Sequence, residues 1–169
     1  MGRYLPTKSN LLKLNKTILL SKQGYELLEK KRKILIKERE KFILRSKELK
    51  EEYLKLYNIA FNYLKTANIE IGIDAVKKIE KEIKIFDLLD IKYKTLMGVE
   101  ISSVVYEKEN QDIVYGLYHT TIALDEVVKS FRNLRYVIIE FANVENSLYR
   151  LNAAIEKIQT RSNALKEVI

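Results

Sequence analysis

The sequence contains no cysteine, no tryptophan, a single proline and five glycines among 169 residues. Without cysteine the chain cannot form a disulfide framework, a thiolate zinc site or a cysteine nucleophile. The scarcity of proline and glycine argues against a sandwich of many short strands, which needs frequent turns. With 47% hydrophobic and 32% charged residues, the composition is also too apolar for a disordered chain. Long helices in one domain are therefore expected.

Membrane-spanning and secretory signals are weak in this sequence. Lys8, Lys13 and Lys16 interrupt the apolar residues of the first stretch, where a secretory signal needs an unbroken apolar core. The best apolar run further along, Val137–Ile139, is ended by Glu140 and is far too short for a bilayer. We expect any association with a membrane to occur through a partner or at the surface.

Motifs for catalysis and cofactor binding are missing as well. The sequence has neither a GxxxxGK[ST] loop nor a GxGxxG turn after a strand, so no phosphate-binding loop is recognisable. His119 is the only histidine, and no ligand-spaced partner accompanies it. We therefore expect no cofactor, no metal site and no catalytic activity in the chain alone.

The positive charge is concentrated at the start of the chain. Residues 1–66 carry 17 lysines and arginines against 7 acidic residues, whereas residues 67–112 carry 7 against 10. No acidic residue precedes Glu26, and the basic residues before it include Lys8, Lys13, Lys16 and Lys22. Such a block is attracted to an acidic protein, lipid or nucleic-acid surface.

The basic run Lys30–Lys33 raises the question of nucleic-acid binding. Basic residues on a long helix most often form its solvated face, and Leu28 and Leu35 on either side of the run belong to an apolar seam. Most of the 11 tyrosines also fall on or beside the seams, where packing explains them better than base stacking. We therefore expect no nucleic-acid partner.

Residues 9–66 are predicted to form the first coiled-coil helix. With Leu11 as position a of a heptad, seven of the eight d positions and five of the eight a positions up to residue 63 are apolar. The polar a positions include Arg32, Arg39 and Ser46. This pattern predicts a seam that is packed less tightly in its middle than at its ends. Thr7 or Ser9, after Pro6, is expected to cap the helix.

Residues 113–169 are predicted to form the second coiled-coil helix. Apolar residues recur there at alternating steps of three and four, from Leu117 to Ile169. The two blocks have nearly equal lengths, and a chain that returns along itself must pair antiparallel. The sequence thus predicts a mainly α fold, a long antiparallel two-helix coiled coil, with the intervening residues at one end of the rod.

Residues 67–112 are predicted to form a middle head. A weak break at Asn68–Gly72 precedes Val76, Ile79, Ile83 and Phe86, whose spacing predicts a short helix up to about Leu88. A β-hairpin around Met97-Gly98 is expected next, since Ile91 and Tyr93 alternate with lysines before the turn, and Val99 and Ile101 follow it. Because a lone hairpin is marginal in water, we expect it to pack on the short helix and the start of the last helix.

Three segments carry a family resemblance. Pro6–Leu14 together with Gly24–Arg32 resembles the N-terminal signature of the D subunit of the V/A-type ATPases, the central rotor stalk. Met97–Ile101 is similar to the mid-chain Gly-Val turn of that family, and Thr160–Leu165 to its Arg-Arg-Val-Asn-Ala-Leu run. The chain departs from the family pattern at Ser102, where proline is usual, and it has one arginine, Arg161, where a pair is common. Family members usually continue for several tens of residues beyond the last run, whereas this sequence stops at Ile169.

The resemblance implies a non-catalytic shaft, cytoplasmic and peripheral to the membrane, inside a hexameric ring of catalytic and nucleotide-binding subunits. It also implies a small F subunit bound to the middle region, and a funnel-shaped subunit between the foot of the shaft and a membrane ring that carries protons or sodium ions. Candidate contacts with the hexamer bore are Lys8, Lys13, Lys16, Lys22 and Arg161. Candidate docking residues for the small F subunit are Ile91, Tyr93, Val99 and Ile101.

A free-standing coiled-coil adaptor is the alternative that composition alone allows. An adaptor would more readily form a homodimer through its seam, whereas a rotor subunit should be monomeric and bind one small subunit. The sequence does not decide which ion is pumped or in which direction the complex runs.

Overall fold

The structure, a computed structural model, describes residues 6–83, 89–106, 115–116 and 120–168. In chain order these residues form α1 (Lys8–Glu70), α2 (Ile73–Glu82), β1 (Leu89–Leu96), β2 (Val99–Tyr106) and α3 (Ile122–Val168). The helices α1 and α3 pack along each other in opposite directions, and the two strands form an antiparallel hairpin. The predicted fold class, mainly α with a long antiparallel helix pair and a hairpin insertion, is confirmed.

Helix α1 is 63 residues long, about 95 Å at the usual rise per residue. Thr7 caps its start, because its side-chain oxygen accepts a hydrogen bond of 3.3 Å from the Asn10 N–H. The helix ends at Glu70, two residues before Gly72, whose φ of 91° is disfavoured for residues with a side chain. The observed bounds exceed the predicted 9–66 by one residue at the start and four at the end.

Helix α3 begins later than predicted. The described residues Tyr115, Gly116, Thr120 and Thr121 are not helical, and α3 starts at Ile122 instead of residue 113, which lies outside the described residues. Its 47 residues span about 70 Å. The two helices are therefore unequal in length, although they pair as expected.

The seam between the helices follows the predicted heptad spacing. On α1, Leu35 and Leu49 have no exposed surface, and Leu28 and Phe42 are half-buried. The α3 side of the seam consists of side chains that are at most 8% exposed: Leu124, Val127, Leu134, Val144, Leu151 and Ile158. Burial of these apolar side chains holds the rod together.

The polar middle of the seam is bridged to α3. Ser46 donates a hydrogen bond of 2.5 Å to Glu145, and beside it Arg45 pairs with Glu140 at 2.6 Å. By contrast, Leu11 and Leu12 near the start of α1 are more than half exposed. No described α3 residue lies opposite this part of α1, so the expectation that the middle of the seam is packed less tightly than its N-terminal end stays a prediction.

The hairpin pairs Leu96 with Val99 across a two-residue turn, Met97-Gly98, in which both residues have positive φ. This is the geometry of a type I′ turn, which matches the twist of the strands. The sequence predicted that the hairpin packs on α2 and the start of α3, and this prediction is wrong. Ile101, Val99 and Leu96 pack instead on Leu35 of α1 and Leu151 and Ile158 of α3, along the side of the rod.

Helix α2 ends at Glu82 and is shorter than predicted, while Phe86 and Leu88 lie outside the described residues. It makes few contacts with α1, and none of its side chains is fully buried. In the part of the chain that the structure describes, no helix combines the length and apolar character that a membrane span requires.

Candidate functional site

Three surfaces of the rod are candidates for binding other proteins. We call residues 8–22 of α1 the basic tip, residues 89–106 the hairpin, and the apolar cleft between α1, α2 and α3 the aromatic groove. The tip and the hairpin contain eight of the nine candidate residues of the sequence analysis; the ninth, Arg161, lies on α3, and the groove was not predicted.

The basic tip extends beyond the described end of α3. Gly24 lies opposite Leu165, so Val168 reaches only to about residue 21 of α1. On faces of the tip that point away from the seam, Leu12, Leu19 and Leu20 are 55–66% exposed. Three leucines of this size left in water represent a large apolar surface, of the kind that marks an interaction site.

The apolar residues of the tip do not lie on one face. At about 100° per residue, Leu11, Leu14 and Ile18 continue the seam, while Leu12 and Leu19 point roughly 115° away from it. Leu20 and Leu27 point almost opposite the seam, and both are 66% exposed. A single flat surface cannot cover such a helix, but an enclosing wall can.

The four candidate lysines, Lys8, Lys13, Lys16 and Lys22, are all exposed on this tip. Arg161 is exposed on α3, but its neighbour Ser162 bonds to Glu29, so it lies level with that turn of α1. Arg161 is thus displaced from Lys22 by seven residues, about 10 Å, and from Lys8 by about 30 Å. Arg161 therefore lies near Lys22, at the C-terminal end of the tip, and far from Lys8, at its N-terminal end.

Near this end of the helix pair, hydrogen bonds fix the side chain of Glu29. Arg32 donates to its Oε2 at 3.0 Å, and Ser162 donates to its Oε1 at 2.9 Å. These bonds, first that of Arg32 and then that of Ser162, lower the pKa of Glu29 from its usual 4.5. Both oxygens of the Glu29 carboxylate therefore accept hydrogen bonds, and the one from Ser162 links α1 to α3.

The hairpin divides its four candidate residues into two pairs. Ile101 is 9% exposed and packs with Val99 against the rod, whereas Ile91 and Tyr93 are 54% and 60% exposed. Arg150 of α3 lies over the Tyr93 ring at 5.5 Å from its centroid. Ile91 and Tyr93 are thus available to a partner, while Val99 and Ile101 already attach the hairpin to the rod.

Polar side chains of α3 cover the outer edge of β2. Arg150 donates to the Glu100 carbonyl at 3.2 Å, and Asn146 donates to the Ser102 hydroxyl at 2.8 Å. With its amide oriented to satisfy both groups, Asn143 donates to the Ser102 carbonyl at 2.6 Å and accepts from the Val104 N–H at 3.2 Å. Covering an edge strand in this way prevents unwanted pairing.

Sequence reasoning missed these three α3 residues. Asn143, Asn146 and Arg150 are spaced by three and four, so they share one face of α3. That spacing is the signal they leave in the sequence. It resembles the solvated face of any long helix, and only the position of β2 distinguishes it.

The aromatic groove lies between α1, α2 and α3 and has a volume of about 660 Å³. Tyr57 stacks on Phe61 with ring centroids 4.3 Å apart, and Phe61 reaches Phe131 of α3 at 5.8 Å. The other apolar lining includes Val76 and Ile79 of α2, Ile83 just after it, and Leu134 and Ile138 of α3. The groove is far from the basic tip, since Phe61 is 39 residues, or about 58 Å, along α1 from Lys22.

Metal-ligating side chains are not clustered in the described residues. Within residues 6–83, 89–106, 115–116 and 120–168, no three His, Asp or Glu side chains are close enough together to hold a metal ion. His119, the lone histidine, falls outside those ranges. What the described surfaces offer is apolar contact, positive charge and a strand edge.

Comparison with known proteins assigns the chain to a family. The sequence model of the ATP synthase D subunits matches residues 10–169. The D subunit of the V-type ATP synthase of Thermotoga neapolitana is 35% identical over 164 residues, which are 97% of this chain and 81% of the relative. The D subunit of the A-type ATP synthase of Methanoregula boonei is 37% identical over 164 residues, 95% of this chain and 78% of the relative. On these matches, the chain that forms this rod and hairpin belongs to the family of V/A-type ATP synthase D subunits.

Proposed function

We propose that this chain is the non-catalytic central-stalk subunit of a V/A-type ATPase or ATP synthase. It passes torque between the hexamer of catalytic and nucleotide-binding subunits and the membrane ring that carries the ions. In this role the protein is cytoplasmic and peripheral to the membrane, as part of the complex.

The observation that carries this proposal is the basic tip. Leu12, Leu19 and Leu20 are exposed on faces of the helix that point away from the seam, and the charge of the tip is positive without an acidic residue before Glu26. Exposed apolar side chains on faces that the helix pair does not cover require an enclosing environment. The bore of a ring of subunits provides one, and acidic groups in its wall would attract Lys8, Lys13, Lys16 and Lys22. Arg161 would meet the wall at the rim, level with Glu29.

The remaining partners follow from the position of the tip. The hairpin lies along the side of the rod, outside the tip, and its exposed Ile91 and Tyr93 are our candidate contacts for the small F subunit. The opposite end of the rod, which carries α2 and the aromatic groove, would point toward the funnel-shaped subunit and the membrane.

The proposal can be tested by crosslinking, because a chain without cysteine accepts single engineered cysteines cleanly. A Leu19→Cys variant carrying a benzophenone label is assembled with the catalytic and nucleotide-binding subunits and irradiated. We expect a crosslink to one of these subunits and loss of ATP hydrolysis in the crosslinked fraction. The matched control is Lys129→Cys, an exposed site more than 60 Å from residue 19 by the register of the helices.

Two results would contradict the proposal. If Leu19→Cys crosslinks to neither large subunit, the tip does not lie in the bore. If it crosslinks but hydrolysis continues unchanged, the chain is not a rotor. A free-standing adaptor predicts instead that the wild-type chain forms a stable homodimer and leaves the hexamer unbound.

A further inference from the structure

Among the described residues, nothing covers the outer edge of strand β1. The hairpin has two edges, and α3 covers the edge of β2 through Asn143 and Arg150. No residue in the described part of the chain donates to or accepts from the outer backbone edge of β1 through a backbone hydrogen bond. All side chains from Asp90 to Thr95 are exposed. A row of unpaired backbone groups is a template for pairing with another strand.

The register shows which backbone groups of β1 face outward. In an antiparallel pair, opposed residues alternate between hydrogen-bonded and non-hydrogen-bonded pairs. The Glu100 carbonyl, the Ser102 carbonyl and the Val104 N–H point away from β1, because they bond to α3. Their partners across the ladder must then also point outward, and these are Thr95, Tyr93 and Ile91. The two-residue turn agrees, since it makes Leu96 and Val99 a hydrogen-bonded pair.

The side chains beside this edge define what a neighbouring strand should contain. Lys92 and Lys94 lie on one face of the hairpin, and the Lys31 ammonium of α1 lies beside Gly98 at its tip. Ile91 and Tyr93 lie on the other face, with Tyr93 under Arg150. Side chains directly opposite across a ladder share a face and contact each other. A complementary strand therefore alternates acidic with apolar residues.

A second copy of this chain is a poor occupant. If two β1 edges paired antiparallel about Tyr93, Lys92 of each copy would oppose Lys94 of the other, and like charges opposite each other destabilise a ladder. Lysines on an edge strand are a common defence against such self-association. The same lysines attract an acidic strand.

We propose that β1 binds a partner protein by strand addition, in which an extended segment with alternating acidic and apolar side chains pairs with the backbone of Ile91, Tyr93 and Thr95. This inference rests on the proposed docking of the small F subunit at the hairpin and specifies how that docking occurs. Main-chain hydrogen bonds supply affinity, and the alternating side chains supply specificity.

The test uses residue-resolved amide exchange by NMR, on the full chain alone and with the purified small F subunit. In the free chain, the outward N–H groups of Ile91, Tyr93 and Thr95 should exchange quickly, and those of Lys92 and Lys94 slowly. In the complex, we expect the three outward groups to slow by about tenfold or more, which removes the alternation.

A pair of variants separates backbone from side-chain contacts. Tyr93→Pro and Tyr93→Ala both remove the ring, but only proline removes the outward N–H, which the hairpin itself does not use. We expect Tyr93→Pro to bind at least about tenfold more weakly than Tyr93→Ala. The ladder amides of Ile101 and Ser103 report whether the hairpin of each variant remains folded.

Each outcome decides between the proposals. If the small subunit binds but Ile91, Tyr93 and Thr95 stay fast, or Tyr93→Pro binds as well as Tyr93→Ala, strand addition is wrong while docking stands. If the wild-type chain and the small subunit make no complex, the docking proposal fails and strand addition by this partner fails with it. If the three amides become protected in the chain alone as its concentration rises, the occupant is a second copy and the proposal is overturned.

Discussion

Ser162 of α3 donates a hydrogen bond of 2.9 Å from its hydroxyl to Oε1 of Glu29 on α1. Ser162 is only 1% exposed, and the other oxygen of Glu29 accepts from Arg32 of the same helix. A buried hydroxyl needs a partner, and this one finds it across the seam. The bond therefore joins the two helices close to the point where α3 ends beside the basic tip.

The hydrogen bonds of Glu29 with Arg32 and Ser162 should make the free energy of unfolding depend on pH in the acidic range. Its folded-state pKa lies below the ordinary 4.5, because of Arg32 first and Ser162 second, so the stabilisation is present above about pH 4.5 and is lost as the pH falls through the lower folded value. In urea denaturation at a series of pH values, Glu29→Gln should be less stable than the wild type at pH 7, and this difference should shrink below pH 4.5. Glu26→Gln, at an exposed site one turn away, is the control. A difference that is constant with pH would contradict this assignment.

Leu35 should be among the most costly side chains to remove. It has no exposed surface and packs with Ile101, Leu151 and Ile158, so Leu35→Ala leaves a cavity where both helices and the hairpin meet. We expect a loss of about 2–5 kcal/mol in the free energy of unfolding, measured with urea. Leu44→Ala, on the same helix but 61% exposed, should cost less than about 0.5 kcal/mol. Equal losses in the two variants would show that the seam is not the core.

Gly24→Ala should stabilise the rod. An added Cβ would meet Leu165 Cδ1 at 3.7 Å, which is ordinary van der Waals contact, and no backbone approaches the site. Alanine in the middle of a helix is favoured over glycine by about 1 kcal/mol. The urea midpoint should therefore rise, whereas Gly72→Ala, at a φ of 91°, should lower it. A lower midpoint for Gly24→Ala would reveal a closer approach of α3 than the structure shows.

The turn of the hairpin carries local strain at Met97, whose φ is 49°. Met97→Asn should relieve part of it, because asparagine is favoured at this position of a type I′ turn. Gly98→Ala should cost about 1 kcal/mol through its φ of 76°. Amide exchange at Ile101 and Ser103 measures both effects, as slower exchange in the first variant and faster in the second. Faster exchange in Met97→Asn together with slower exchange in Gly98→Ala would exclude a type I′ turn.

The hydroxyl of Tyr115 should ionise above the ordinary pKa of a tyrosine. Burial, followed by the 2.5 Å hydrogen bond that its hydroxyl donates to Asp125, raises its pKa from 10.0 to about 12. Because the folded value is the higher one, the stabilisation is complete below pH 10 and is lost as the pH rises toward 12. In an ultraviolet titration of the folded chain, Tyr115→Phe should remove the phenol that ionises near pH 12. If the phenol lost were one that ionises near pH 10, the bond to Asp125 would not persist in solution.

The sequence predicted those parts of the fold that periodicity encodes. The three-and-four spacing of Leu28, Leu35, Phe42 and Leu49 requires a helix with one apolar stripe, and the alternation around Met97-Gly98 requires a hairpin. Periodicity does not locate the ends of the helices. The apolar steps continue upstream of Ile122, and local spacing does not show where the helical backbone stops.

Periodicity could not show where the hairpin lies on the rod. Its position depends on contacts between residues far apart in sequence, such as Ser102 with Asn146 and Ile101 with Leu35. Any hairpin with one apolar face would satisfy the same pattern against several parts of two long helices. For that reason the sequence overestimated the docking surface, since it counted Val99 and Ile101 as free for a partner when the rod already covers them.

The hairpin has a mechanical consequence for the rod. Two helices that pair through repeating heptads can slip past each other by seven residues and still match apolar with apolar. In the described part of the chain, the hairpin contacts α1 at Lys31 and Leu35, and it is bonded to two turns of α3 through Asn143, Asn146 and Arg150. A slip of seven residues would break the contacts of the hairpin with one helix or the other. The hairpin thus fixes the register of the two helices, so that the coiled coil has a single alignment along its axis.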